Sequence, residues 1–272
     1  MGARPITFLS DYGYDDEFAG VCRAVIARIA PDAPIIDLTH GIERHAVDQG
    51  AAVLVNAVPY APAGVHLAVV DPGVGSPRRA VAVRTATEDR ILVGPDNGLL
   101  WPAIERLGGA AEAVDISLSA LRLQPISATF HGRDIFAPVA AHLARGTPLA
   151  EAGERIDSES LVRISAREPS IEAGRVVAHV VSVDRYGNTA LDLADRHLPE
   201  TGLRLGRPLE IETVGATYRA VFALTFADVP DGGLILYEDS YGSMALAVNR
   251  GDAAADLDLE PGAEVVLRPA DR

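Results

Sequence analysis

The chain has 272 residues, 48% of them apolar and 23% charged, and a formal net charge of −14. That length accommodates one large domain or two ordinary ones, and so acidic a field disfavours nucleic acid and anionic membranes as partners. All 24 basic residues are arginine, which excludes a P-loop lysine, a pyridoxal Schiff base and any lysine nucleophile.

In chain order, residues 5–10 (PITFLS) read as a short buried strand ending at Asp11. Helical spacing of apolar residues follows over 17–30 and is stopped by Pro31. PIIDL at 34–38 predicts a second strand, 46–58 a second helix, and HLAVV at 66–70 a third strand running into Asp71. Residues 81–85 and 90–94 predict a strand pair, and 99–107 and 135–146 two later helices. This alternation predicts an α/β domain with a mostly parallel sheet over 1–150. Residues 151–173 are polar without periodicity and read as a linker. From 174 to 272 come short β-rich runs with glycine, aspartate and proline between them, which predicts an all-β, barrel-like domain with no helix.

The single cysteine, Cys22, lies in an apolar helical run, so no intrachain disulfide or thiolate zinc cluster can form and a buried thiol is expected. No histidine shows HExxH or comparable spacing, so no metal is predicted. The amino terminus runs straight into a strand, and no stretch approaches 18 uninterrupted apolar residues; a cytoplasmic protein is expected.

Ligands of parallel α/β sheets bind beyond the carboxyl ends of the strands. Asp11, Thr39-His40 and Asp71 each follow a predicted strand there. The segment from Asp71 to Arg79 (DPGVGSPRR) holds two glycines and two prolines in a tight loop, with an acid at its start and two arginines at its end. A turn with a solvated arginine pair would read the same way. His131 sits beside Gly132 just before a helix, where the helix field favours its neutral form. Gly94-Pro95-Asp96-Asn97-Gly98 and Asp184-Arg185-Tyr186-Gly187-Asn188 are explained by turn chemistry when taken singly.

Taken together and in this order, the motifs resemble those of the adenosine-forming S-adenosylmethionine hydrolases, relatives of the fluorinases and chlorinases. The resemblance rests on SDYGYDDEFAG, DLTHGI, VVDPGVGSPRR, VGPDNGLL, TFHGRDIFAP, VDRYGN and YGSMALAVN. It implies an N-terminal α/β domain, a C-terminal β-barrel, and a homotrimer whose substrate lies between the N-terminal domain of one subunit and the C-terminal domain of its neighbour. It places the family's Asp-Arg-His set on Asp71, Arg78 and His131, with Arg79 as the alternative arginine. It also implies that Asp11 holds the ribose diol, that Asp16 and Asp184 bind the methionine ammonium and that Ser240 binds its carboxylate. Asn188 would read the adenine edge, and Phe226 or Tyr186 would stack near the base. S-adenosylmethionine is then the substrate, with no separate cofactor.

The sequence departs from the halogenases of this family at the places where nucleophile choice is made. Those enzymes carry tyrosine where Asp71 stands, threonine where Val74 stands and tyrosine-serine at His131-Gly132. An arginine follows the serine matching Ser240, where this chain has Tyr241. A carboxylate in the wall of an anion site repels halide, whereas a carboxylate and an imidazole can orient and deprotonate water. Hydrolysis is the expected reaction. The competing readings are a halogenase-like transferase using chloride and a non-catalytic S-adenosylmethionine-binding module.

Overall fold

The computed structural model describes residues 2–164, 167–172 and 174–270. The chain divides into two compact units, residues 1–164 and 165–272.

The first unit is built on seven strands: β1 (Ile6–Ser10), β2 (Ile35–Thr39), β3 (Val65–Val69), β4 (Ala80–Thr85), β5 (Ile91–Pro95), β6 (Ala110–Asp115) and β7 (Glu154–Ile156). Their order is β2-β1-β3-β5-β4-β6-β7. β2, β1, β3 and β5 run parallel, and β4, β6 and β7 continue the sheet with antiparallel pairings. β1, β2, β3, β5 and β6 therefore point the same way, as a mostly parallel sheet requires. β1 and β3 are buried at every position, so their sequences are apolar runs rather than alternations.

Helices α1 (Phe18–Ile29), α2 (Val47–Ala57), α3 (Trp101–Arg106) and α4 (Ala137–Ala144) cover the sheet. Cys22, Val25 and Ile26 of α1 and Val139 and Leu143 of α4 share one core with Ile6, Phe8 and Leu67. Ala51 and Leu54 of α2 and Ala103 and Ile104 of α3 share another with Leu9, Ala68 and Leu92. Each large side chain so buried contributes about 1.5–3 kcal/mol. Cys22 is fully buried, and burial pushes its thiol up to about 12, so it packs as a small hydrophobe. His66 of β3 is also fully buried: Nδ1 lies 2.8 Å from Thr7 Oγ1, and Nε2 3.3 Å from an Arg90 nitrogen.

The second unit holds β8 (Ser170–Glu172), β9 (Arg175–Val183), β10 (Thr189–Ala194), β11 (Pro208–Thr213), β12 (Ala216–Phe222), β13 (Leu234–Glu238), β14 (Ser243–Val248) and β15 (Glu264–Pro269). Their order is β10-β14-β13-β12-β11-β15-β9-β8, and pairing of β9 with β10 closes seven of them into a barrel. Burial alternates along β9 and β10, so Val176, Ala178, Leu191 and Leu193 fill the interior.

Three features differ from the sequence reading, the first being β6, which has no counterpart in it. Helices of four residues (Leu198–Thr201) and five (Ala253–Leu257) occur in the second unit, too short to show a helical period. The segment 151–173 is not uniform connection. β7 joins the first sheet, Ser160 and Val162 hydrogen-bond to Arg79 and Asp96, and Arg163 lies 4.3 Å over Trp101, whereas β8 pairs with β9. Residues 165, 166 and 173 of that segment lie outside the described residues. Three-residue edge strands carry too little pattern to be read from composition.

Candidate active site

Asp11, His40 and Asp71 lie just beyond the ends of the adjacent parallel strands β1, β2 and β3. The loop from Asp71 folds back on itself: Val74 N–H donates to the Asp71 carbonyl at 3.2 Å and Ser76 N–H to that of Gly73 at 3.0 Å. Gly75 has φ +78°, and a Cβ there would lie 2.7 Å from the Ala128 carbonyl oxygen. A glycine is needed on both counts, and the close approach sets this loop against the segment that leads to His131.

Arg78 is thereby aimed at two partners. Its Nε donates to Asp71 Oδ1 at 2.8 Å and its Nη2 to Asp71 Oδ2, a bidentate pair whose side chains are 7% and 11% exposed. Nη2 also lies 3.0 Å from Nδ1 of His131, and the guanidinium packs over the Phe136 ring at 5.2 Å. His131 caps a π-helical turn, Gly132–Phe136, in which Ala137 N–H donates to the Gly132 carbonyl. Such turns recur at functional sites. Burial, then the Arg78 charge, lowers the His131 pKa; Asp71 and Asp134 oppose this more weakly.

Arg79 points elsewhere. Its Nε donates to the buried carboxylate of Asp96 at 2.8 Å, and its Nη1 to Ser160 Oγ at 3.0 Å. Between the two arginines, the one whose side chain meets both Asp71 and His131 is Arg78.

Asp11 is half-buried and accepts the His45 N–H on Oδ2 at 3.0 Å. His45 has φ +68°, a left-handed conformation that non-glycine residues seldom hold. Asp16 is exposed. Tyr12 lies within the SDYGYDDEFAG motif, which by itself assigns it no role. Its phenol is packed against Gly132 and among Phe8, Phe18 and Phe130, and burial together with Asp11 and Asp71 raises its pKa well above the ordinary value. The signal available was its place between Asp11 and a glycine at the strand end.

In the second unit two turns share one design. Asp184 N–H donates to the Asn188 carbonyl at 2.9 Å, while Asp184 Oδ1 accepts from the N–H groups of Tyr186 at 2.8 Å and Asn188 at 3.0 Å. Asp239 N–H likewise donates to the Ser243 carbonyl at 2.7 Å, and Asp239 Oδ1 accepts from Tyr241 at 2.8 Å and Ser243 at 3.0 Å. Asn188 Nδ2 adds a bond to Asp184 Oδ2 at 2.8 Å. Asp184, Tyr186 and Ser240 are exposed. Phe226 packs 5.1 Å from Tyr237, a residue the sequence reading missed; burial, then Asp184 and Asp239, pushes its hydroxyl up to about 12.

Comparison with known proteins gives the same division of the chain. Residues 6–153 match the family model described as SAM hydroxide adenosyltransferase N-terminal domain, and residues 178–266 match that of the C-terminal domain. The (R)-S-adenosyl-L-methionine hydrolase of Salinispora tropica is 47% identical over 257 residues, covering 94% of this chain and 95% of that protein. A fluorinase of Nocardia brasiliensis is more distant, 29% identical over 294 residues and 98% of each chain. The crystal structure of an uncharacterized conserved protein from Thermotoga maritima superposes with a TM-score of 0.90 at 37% identity, over 97% of this chain and 99% of that one.

Proposed function

We propose how Asp71, Arg78 and His131 act from one premise: the chain belongs to the SAM hydroxide adenosyltransferase family, and it hydrolyses S-adenosylmethionine to adenosine. The substrate is a sulfonium, so C5′ is already activated and the leaving group departs as neutral methionine. What the enzyme supplies is a water held in line behind C5′, with a proton acceptor beside it.

The observation that carries the roles is the contact of Arg78 with both other residues. Arginine has no acceptor, so Nδ1 of His131 must present its lone pair, and the neutral ring carries its proton on Nε2. His131 then donates to the water oxygen. It is an orienting group rather than the base. Asp71 keeps unshared lone pairs while accepting two bonds from Arg78, and it takes the water proton as the C5′–O bond forms. The C5′–S bond breaks with its electron pair going to sulfur. No further cofactor is required by this chemistry.

Substrate contacts follow the same reading. Asp11, steadied by His45, accepts from the ribose hydroxyls; Asp16 and Asp184 hold the methionine ammonium; and Ser240 meets the carboxylate. Asn188 reads the adenine edge, and Tyr186 or Phe226 covers the base. A homotrimer in which a neighbouring subunit completes each site accounts for contacts drawn from distant parts of the sequence, and dilution should then abolish activity. No helix among the described residues is long and apolar enough to cross a membrane, and a cytoplasmic location belongs to the same proposal.

Turnover in ¹⁸O-water tests the reaction. Label in the adenosine 5′-hydroxyl is expected. 5′-Chloro-5′-deoxyadenosine formed in high chloride, or binding without turnover, would overturn it.

A further inference from the structure

Resting on the assignment of His131 to the attacking water, we propose that Tyr12 is a positioning residue: its phenol, wedged against Gly132, fixes the start of the π-helical turn and so holds the His131 ring on Arg78. Gly132 is not among the glycines with left-handed φ, so the backbone there does not call for glycine. Space does. A Cβ built at Gly132 would fall on the Tyr12 Oη, with Cζ at 2.9 Å and Cε2 at 3.2 Å. Glycine is otherwise a poor residue for a helical turn, and the phenol supplies the reason for it.

The wedge is itself anchored. The Tyr12 ring stands edge-on to Phe8 at 6.4 Å and to Phe130 at 5.8 Å, and is tilted on Phe18 at 6.1 Å. Tyr12 N–H donates to Ser10 Oγ at 3.3 Å, and Gly13 N–H to the His40 carbonyl at 2.8 Å. Tyr12, just beyond the end of β1, thus contacts both chain neighbours of His131, Phe130 and Gly132. Its raised pKa keeps the hydroxyl protonated, so the wedge is neutral. The Arg78–His131 contact of 3.0 Å becomes too long for a hydrogen bond if the turn moves away by more than about half an ångström.

The test compares the wild type, Tyr12→Leu, Gly132→Ala and the double variant, by steady-state kinetics and by titration of ¹³C-labelled His131. In Gly132→Ala the new methyl meets the phenol, so kcat should fall about tenfold or more with KM within about twofold. The His131 pKa should rise toward its ordinary value as Arg78 is lost. With Leu at 12, the alanine should cost kcat less than about threefold, and the titration should return toward that of the Leu variant. Additive losses in kcat, or an unmoved His131 titration in Gly132→Ala, would overturn the proposal. If Tyr12→Leu fails to fold, Tyr12→Phe keeps the ring packing and removes Oη, and partial recovery of Gly132→Ala is expected in that background. Should wild-type protein place no ¹⁸O in adenosine, the reaction assignment falls, while the histidine titration still decides the role of Tyr12.

Discussion

Arg78 Nη2 lies 3.0 Å from Nδ1 of His131, and this contact fixes which ring nitrogen carries the proton. Burial and the same guanidinium lower the His131 pKa, so the neutral ring persists as pH falls past the ordinary histidine value near 6.5. The acid limb of kcat should therefore lie below that value. In Arg78→Met, where one of the two leading causes is gone, the titration of His131 should move upward. An acid limb in the wild type above the ordinary value would contradict the arrangement.

Asp71 is the proposed proton acceptor. Asp71→Asn keeps the size and removes the charge, and turnover should fall by about 10²–10⁴ with substrate affinity little changed. Pre-steady-state binding beside single-turnover rates would measure both. Wild-type turnover in this variant would remove Asp71 from the mechanism.

The neighbouring arginines should separate cleanly. Arg78→Met should abolish turnover, and because it leaves the buried Asp71 carboxylate without its cation it should also lower stability by about 1–3 kcal/mol. Arg79→Met leaves the buried Asp96 carboxylate without its cation, so it should lower stability by about 1–3 kcal/mol while sparing kcat. Denaturant titration and kinetics on the two variants decide this.

His45 holds its left-handed backbone while donating to Asp11. His45→Gly keeps the N–H and relieves the strain, so KM for S-adenosylmethionine should stay within a few-fold. His45→Val adds a β-branch where such a backbone costs about 1–2 kcal/mol, and KM should rise about tenfold as Asp11 loses its partner. Equal KM values would show that this hydrogen bond does not serve binding.

His66 gives a stability signature independent of the reaction. Burial, with Arg90 next to it, lowers its pKa to about 4 in the folded chain, against about 6.5 when unfolded. Between these values the unfolded state binds more protons, so stability should fall as pH drops from 6.5 toward 4, by at most about 3 kcal/mol from this group. Urea titrations across that window should show the slope, and His66→Gln should flatten it.

Much of the first unit was legible because buried strands and amphipathic helices carry strong periodic signals. β6 (AAEAVD) escaped, since alanine and acidic residues have little strand preference and tertiary pairing decides. The loop glycines announced close approach at Gly75, but sequence could not say that Arg78 rather than Arg79 faces Asp71; that depends on how the backbone turns after Ser76. Tyr12 and Tyr237 were hidden for another reason. An aromatic in a turn or strand reads as core; Tyr12 meets Gly132 through segments far apart in the chain, and Tyr237 meets Phe226 only through the way the chain turns before β13.

The closed ring of the second unit has a consequence for how it can meet other molecules. Each of its seven strands is flanked on both sides, and along β9 the side not taken by β15 is shared between β10 and β8. Among the described residues, the one strand of this sheet with a neighbour on a single side is β8, three residues long. A foreign chain cannot extend such a sheet to any useful length. Whatever docks on this unit must recognise protruding side chains such as Val214 and Leu224, and variants meant to disrupt docking belong there rather than in the strands.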